Sequence, residues 1–287
     1  MARKPGFPWA PTSLPPMRRQ WCELLSEGLE RLRDQPAMSG LVPQADDDLS
    51  GLENSSMYWV SRDMTDLAVS AAASLPEWSP AAAIPEEFGL IAWAKPVGTF
   101  DWPVPGSTQR QRMPVDLMSW GIRGSSVGVG CAFRTDRFAK QLGPLARYPL
   151  ISHPIGMWDL EDPVSHRLDG GAVSPMSVLG SAWLLMGQVR IVETRTIAVP
   201  GAGQPATGDA GGAVSLIELR RAARGGSDDA APGRAARRSD KRWWVTGHWR
   251  DARVGPKRSL RRPVWISPYI KGDPEAELSE RVSVWRR

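Results

Sequence analysis

The sequence predicts an α+β fold, in which a mixed domain with few helices and a mostly antiparallel sheet precedes a smaller, β-rich basic module at the C-terminal end. Three observations support this prediction. Helical spacing occurs near the N-terminus, strand-like segments follow one another between residues 88 and 134, and tryptophan is interspersed with arginine after residue 241. Because these strands lack regular helix–strand alternation, they do not indicate a doubly wound sheet.

The chain begins with a proline-rich segment. Residues 1–16 contain PGFPWAPTSLPP and are predicted to form an extended arm, because proline has no backbone N–H to give to a helix. From residue 17, apolar side chains recur at helical spacing and predict an amphipathic helix. Residues 38–56 are polar and rich in turn-forming residues, and they predict a loop.

Strand and helix signals alternate once in the next segment. Tyr58–Val60 resemble a short strand, Ser61 is a suitable N-cap, and the helix that follows is expected to end at Pro76. A buried strand is predicted for FGLIAWAKP, and a proline-rich loop comes after it. MPVDLMSWGI and SSVGVGCAFR are two further strand candidates, joined by a GIRG turn.

The second half of the predicted α+β domain, residues 17–200, contains one strong helix signal. Residues 137–172 hold several prolines and predict irregular structure, whereas PMSVLGSAWLLMGQ is helical in pattern despite Gly180. A strand is expected from about Val189, since β-branched residues are frequent there. Residues 201–240 are linkers by composition, with a strand near 213–220, and residues 241–287 form the basic, tryptophan-rich β module.

Positive charge is concentrated in this module. From Lys241 to Lys271, nine lysine or arginine residues face one acid, Asp251, which gives a net charge of +8, whereas the whole chain carries +5. The rest of the chain is therefore slightly acidic. A charge asymmetry of this kind favours a polyanionic partner.

We therefore predict that the module binds nucleic acid, DNA or RNA. The side chains expected to hold phosphate are Arg250, Arg253, Lys257, Arg258, Arg261, Arg262 and Lys271. The rings expected to be available for stacking on bases are Trp249 and Tyr269, with Trp244 and Trp265 as further candidates. The alternative is that the tryptophans form the core of a small sheet while the arginines cover its outer faces.

Two other functions compete with this one. His248, close in sequence to Arg250, Lys257 and Tyr269, offers the acid–base and cationic groups of a metal-independent ribonuclease-like toxin. No paired carboxylate or second histidine accompanies it in the module, so no catalytic residue is assigned. A protein-interaction or scaffold role is the third alternative, because tryptophan and arginine are enriched at interface hot spots.

Other motifs do not support an assignment. His153 and His166, with the acidic residues Asp159, Glu161 and Asp162, have the ligand types of a metal site but no recognised spacing, so no metal is predicted. GIRGSSVGVG lacks the lysine of a phosphate-binding loop, and no cofactor is expected. The sequence shows no signal peptide and no membrane-length apolar segment, which predicts a cytoplasmic protein without a membrane partner.

Three segments resemble a known group of proteins. They are YWVSRDMTDLAVSAA with FGLIAWAKPV, SVLGSAWLLMGQ, and VTGHWRDARVGPKRSLRRPVWISPYIKGDPEAEL with RVSVWRR. Together they are similar to a family of uncharacterised proteins of actinobacteria and of their phages and plasmids, over roughly residues 57–287. The resemblance implies a bacterial, mobile-element setting, and it assigns no activity.

Overall fold

The computed structural model describes residues 8–104, 108–164, 174–199, 212–220, 241–254, 260–271 and 277–278 of the 287-residue chain. The α-helices in these ranges are α1 (Leu14–Arg33), α2 (Val42–Glu53), α3 (Arg62–Ala72), α4 (Ala139–Leu142) and α5 (Pro175–Met186). The strands are β1 (Ser56–Val60), β2 (Phe88–Trp93), β3 (Thr99–Pro103), β4 (Arg110–Pro114), β5 (Leu117–Arg123), β6 (Ser126–Arg134), β7 (Leu150–Asp159), β8 (Val192–Ala198), β9 (Ala213–Leu219), β10 (Lys241–Val245), β11 (His248–Val254), β12 (Leu260–Ile266), β13 (Tyr269–Lys271) and β14 (Glu277–Leu278). The α+β fold class predicted from the sequence is confirmed.

A seven-stranded mixed sheet forms the centre of the molecule. Its strand order is β7-β6-β5-β2-β1-β9-β8. Strand β1 pairs in parallel with β2 and with β9, and the other neighbours pair antiparallel. Helix α3 connects β1 to β2, because a parallel pair needs a crossover connection. Strand β9 is predicted from the sequence within a linker, and in the structure it fills the position between β1 and β8.

Side chains of the central strands alternate between two apolar layers. In β1, Met57 and Trp59 pack on the side of α1 and α2, while Tyr58 and Val60 pack on the side of α3 and α5. The two helices of the second layer are also joined by a buried hydrogen bond, in which Ser181 Oγ donates to Ala68 O at 3.0 Å. The sheet is thus covered on both faces. Within the described residues, none of the helices is both long enough and apolar enough to span a membrane.

Helical geometry begins earlier than the prolines predict. Pro11–Ser13 form a 3-10 turn and α1 starts at Leu14, inside the segment expected to be an extended arm. Pro15 and Pro16 lie in the first helical turn, where backbone N–H groups have no partner within the helix, so the missing donors cost nothing. Trp9, which precedes the turn, donates from Nε1 to Trp93 O at 2.8 Å.

Three segments predicted as loops or irregular structure are ordered. Helix α2 occupies most of residues 38–56, and its few apolar side chains face the sheet. Strands β3 and β4 form a hairpin after β2, in the predicted proline-rich loop, and pack against Phe133. Strand β7 crosses residues 137–172 at the edge of the sheet, where Pro154 is tolerated because one side of an edge strand needs no donors.

A buried carboxylate fixes the start of β5. Asp116 is fully buried and accepts hydrogen bonds from the Arg134 backbone N–H at 3.0 Å and from Arg137 Nη1 at 2.7 Å. Burial raises the pKa of the Asp116 carboxyl above its ordinary value, and the two donors oppose that shift. The carboxylate therefore joins β5 to the end of β6 and the turn after it.

Gly180 in α5 provides a test of the aromatic packing. A Cβ at this position would lie 2.1 Å from the Trp78 ring, whereas nothing lies within 4 Å of a Cβ placed on Gly28 in α1. We expect Gly180→Ala to lower the free energy of unfolding by about 1–3 kcal/mol through overpacking. The matched control Gly28→Ala should raise it by up to about 1 kcal/mol, because alanine favours the helix. Urea denaturation measures both, and equal effects would contradict the proposed contact.

The two thiols provide a second test. Cys22 and Cys131 are free and buried, and burial raises the pKa of Cys22 to about 11 and of Cys131 to about 12. Since the folded state holds these protons more tightly than the unfolded state, this contribution to stability is complete below pH 9 and is lost as the pH rises. We expect native protein at pH 8 to react slowly with Ellman's reagent, and unfolded protein to react at once at both thiols. Complete labelling of native protein within seconds would contradict the burial.

Candidate nucleic-acid interface

The core of the candidate interface is a two-stranded antiparallel sheet, here called the basic hairpin, made of β11 and β12. The residue pairs run from His248 opposite Ile266 to Val254 opposite Leu260. Trp249 lies directly opposite Trp265, and the two rings meet edge to face with centroids 5.3 Å apart. Cross-strand aromatic pairs of this kind stabilise a hairpin.

The tryptophan end of the basic hairpin is anchored on the helix layer. Trp265 is buried in the core formed with α3 and α5, and half-buried Trp249 packs against the same core. Trp249 Nε1 donates to Ala71 O, in α3, at 2.8 Å. The Trp265 backbone N–H donates to Gln188 Oε1 at 3.1 Å, just beyond α5. These contacts fix where the basic hairpin leaves the body of the protein.

Arginines of the basic hairpin have two different environments. Arg250, Arg253 and Arg261 are exposed, and Arg261 pairs with Asp251 at 2.5 Å. Among the described residues, no carboxylate forms an ion pair with Arg250 or Arg253. Arg262 is half-buried instead.

Arg262 lies over the C-terminal end of α5. Its Nη2 would be 2.7 Å from a Cβ placed on Gly187, the C-cap of that helix. Positive charge is favourable at this position because the last helical carbonyls carry partial negative charge. Arg262 therefore contacts the C-terminal end of α5 and helps to hold the basic hairpin against that helix.

A second group of strands carries the remaining candidates. Strand β10 pairs antiparallel with β13 and parallel with β14. Lys271 lies over the Trp243 ring, with Nζ 6.0 Å from the centroid, and Tyr269 is exposed. Tyr269 is thus accessible to a ligand, whereas the Trp249 ring is occupied by packing. Lys257 and Arg258 fall between β11 and β12, in residues 255–259, and lie outside the described residues.

His248 is exposed at the start of β11. Its Nδ1 lies 3.0 Å from the carbonyl oxygen of Thr246, two residues earlier. A carbonyl oxygen accepts only, so Nδ1–H is the donor in this contact. The contact orients the imidazole ring at the start of β11.

The acidic and histidine residues after β6 are also placed by the structure. The His153 ring stacks on Phe100 with centroids 5.6 Å apart, and burial together with the charge of Arg110 lowers its pKa. Asp159 Oδ1 accepts the Glu161 backbone N–H at 3.1 Å, as in a turn. His166 lies outside the described residues, and within the described part of the chain no three histidine, cysteine, aspartate or glutamate residues come together as a metal site.

Comparison of the chain with protein-family models, with curated proteins and with solved structures found no match. The comparisons therefore assign no function to this chain.

Sequence reasoning missed the residues that hold the basic hairpin in place. Gln188 accepts from Trp265 and also donates from Nε2 to Leu184 O at 3.2 Å, so its amide links α5 to β12. The acceptor on α3 is a backbone carbonyl, that of Ala71. Neither has a sequence signal, because both contacts join segments far apart in the chain.

The anchoring contact leads to a prediction. We expect Trp265→Ala to lower the free energy of unfolding by about 3–5 kcal/mol, because a buried aromatic ring is removed and a cavity is left beside α5. Limited trypsin digestion should then cut first within the basic hairpin, which mass spectrometry of the fragments detects. The control Tyr269→Ala removes an exposed ring and should change stability by about 0.5 kcal/mol or less. A Trp265→Ala protein as stable as the wild type would show that the ring is not an anchor.

Proposed function

We propose that the chain is a nucleic-acid-binding accessory protein of a bacterial mobile element, and that the basic C-terminal module forms its binding surface. The observation that carries the proposal is the position of Arg250 and Arg253. Both are exposed on a hairpin held at one end by buried tryptophan, and neither is neutralised by a carboxylate of the described residues. Exposed arginines at defined positions of a strand are suited to phosphate, which accepts from both arms of a guanidinium.

Charge balance supports the same assignment. The module from residue 241 to 271 carries +8, and its single acid, Asp251, is used by Arg261. Clustered positive charge gains affinity for nucleic acid by releasing condensed counterions, whatever the base sequence. The lysine and arginine at 257 and 258 add to this charge, and Lys271 and Tyr269 extend the proposed surface along β13.

The biological setting in the proposal rests on the family resemblance of the GHWR, RRPVWI and SPYIKG segments. A mobile-element setting is compatible with nucleic-acid binding, which the charge of the module also favours. The resemblance assigns no reaction, so the proposal is restricted to binding.

Removal of the exposed charges tests the proposal. We expect the triple variant Arg250→Gln, Arg253→Gln and Arg261→Gln to bind labelled nucleic acid weakly. The slope of log affinity against log salt concentration should also become shallower by about 1 for each phosphate contact that is lost, since about one counterion is released per phosphate contact. Fluorescence anisotropy at several salt concentrations, with DNA and RNA probes, measures both quantities.

A matched control distinguishes binding at the basic module from binding that depends only on the net charge of the protein. Arg31, Arg112 and Arg195 are exposed and lie elsewhere, on α1, β4 and β8, so changing all three to Gln removes the same charge. This control should retain most of the affinity and salt slope of the wild type. If both variants lose affinity equally, binding reflects overall charge and the module is not the site. Cleaved probe on a denaturing gel would instead favour His248 chemistry, with His248→Ala as the next variant.

A further inference from the structure

The basic hairpin has the dimensions of a groove-binding element. Each strand has seven residues, so the hairpin is about 24 Å long at about 3.4 Å per residue, and its two strands lie about 4.8 Å apart. The tryptophan pair anchors one end. Arg253 is four residues from Trp249, which places it about 14 Å along the strand from the anchor.

Arginines face each other across the distal part of the basic hairpin. Arg253 lies directly opposite Arg261, and strand alternation puts both on the same face. Like charges in directly opposite positions destabilise a hairpin. Asp251, on the same face, pairs with Arg261 and compensates one of the two charges. The excess charge of the pair is unfavourable in the free protein, and it becomes favourable when an anion lies against this face.

The width of the two-stranded hairpin can be compared with the groove widths of nucleic-acid duplexes. The major groove of B-form DNA is about 12 Å wide and accepts a two-stranded β-hairpin, whereas the minor groove is about half as wide. The major groove of A-form RNA is too narrow and deep for side chains to read. Arginine at the groove floor can donate two hydrogen bonds to guanine, and arginine on the outer face can meet the backbone.

On the basis of the proposed function, we infer that the basic hairpin inserts into the major groove of B-form double-stranded DNA. Arg253 and Arg261 point toward the base edges. Arg250, which strand alternation places on the opposite face, contacts phosphate. The ligand class is thus duplex DNA, in preference to single strands and to double-stranded RNA.

Four probes of one mixed 24-base-pair sequence test this inference with the full-length protein: duplex DNA, the same duplex with glucosylated 5-hydroxymethylcytosine, single-stranded DNA, and duplex RNA. The glucose groups fill the major groove and leave the phosphates in place. We expect duplex DNA to bind about tenfold more tightly than each of the other three, because one blocked or missing groove contact lowers affinity by about this factor. A minor-groove ligand such as netropsin should not displace the protein.

Variants add a second readout. Arg253→Gln with Arg261→Gln should reduce the preference for plain over glucosylated duplex to about onefold, whereas Arg250→Gln should weaken all duplex probes alike. Circular dichroism confirms that each variant is folded. Equal binding of plain and glucosylated duplex by the wild type, or tighter binding of RNA or single strands, would overturn the groove inference and leave nucleic-acid binding in place. If no probe binds at low salt, the proposed function itself fails.

Discussion

Tryptophan rings packed against glycine hold the layers of this protein together. Trp183, in α5, contacts Trp120 of the sheet with centroids 5.0 Å apart and Trp78 with centroids 6.0 Å apart. Each of these two partners lies against a residue without a side chain. A Cβ on Gly89 would be 2.0 Å from the Trp120 ring, and one on Gly180 would be 2.1 Å from Trp78. Gly180 lets the Trp78 ring lie against α5, and Gly89 lets the Trp120 ring lie across the neighbouring strand β2, where it meets Trp183.

Packing of tryptophan against glycine also occurs in the basic hairpin, and it determines which end of the hairpin carries the exposed charges. Trp265 packs beside Gly247, where a Cβ would be 2.4 Å from the ring, and together with Trp249 it occupies the end of the hairpin that touches α3 and α5. Charged side chains are too costly to bury beside these rings without partners. Arg250 and Arg253 are therefore left exposed, and Arg262 reaches the end of α5. The position of the positive charge is a consequence of tryptophan packing.

The sequence correctly predicted those helices and strands that are determined by nearby residues, such as an N-cap or a run of apolar side chains. Ser61 accepts the Met64 N–H as the N-cap of α3, and α5 forms over the predicted apolar segment. Helix α2 and strand β7 were missed because their local signals are weak and their stability comes from packing and pairing: α2 has few apolar residues, and β7 contains Pro154 but pairs with β6 along the sheet edge. For the candidate site, the arginines and tryptophans were visible in the sequence. Their division into anchor and exposed surface depends on Gln188 and on a backbone carbonyl, which no residue pattern reports.

The tryptophan anchor and the exposed arginines of the basic hairpin contribute to its stability by very different amounts. The buried Trp265 side chain stabilises the attached hairpin by an amount on the order of 3–5 kcal/mol, whereas a like-charged cross-strand pair costs less than about 1 kcal/mol. The anchor therefore tolerates the opposed Arg253 and Arg261, and the exposed end of the hairpin can hold charge that a free-standing hairpin would not retain. Because the surface ion pair of Asp251 and Arg261 is also weak, at about 0–1 kcal/mol, an incoming phosphate or base can displace it at little cost. Stability and ligand affinity are thus set by different residues of the same two strands.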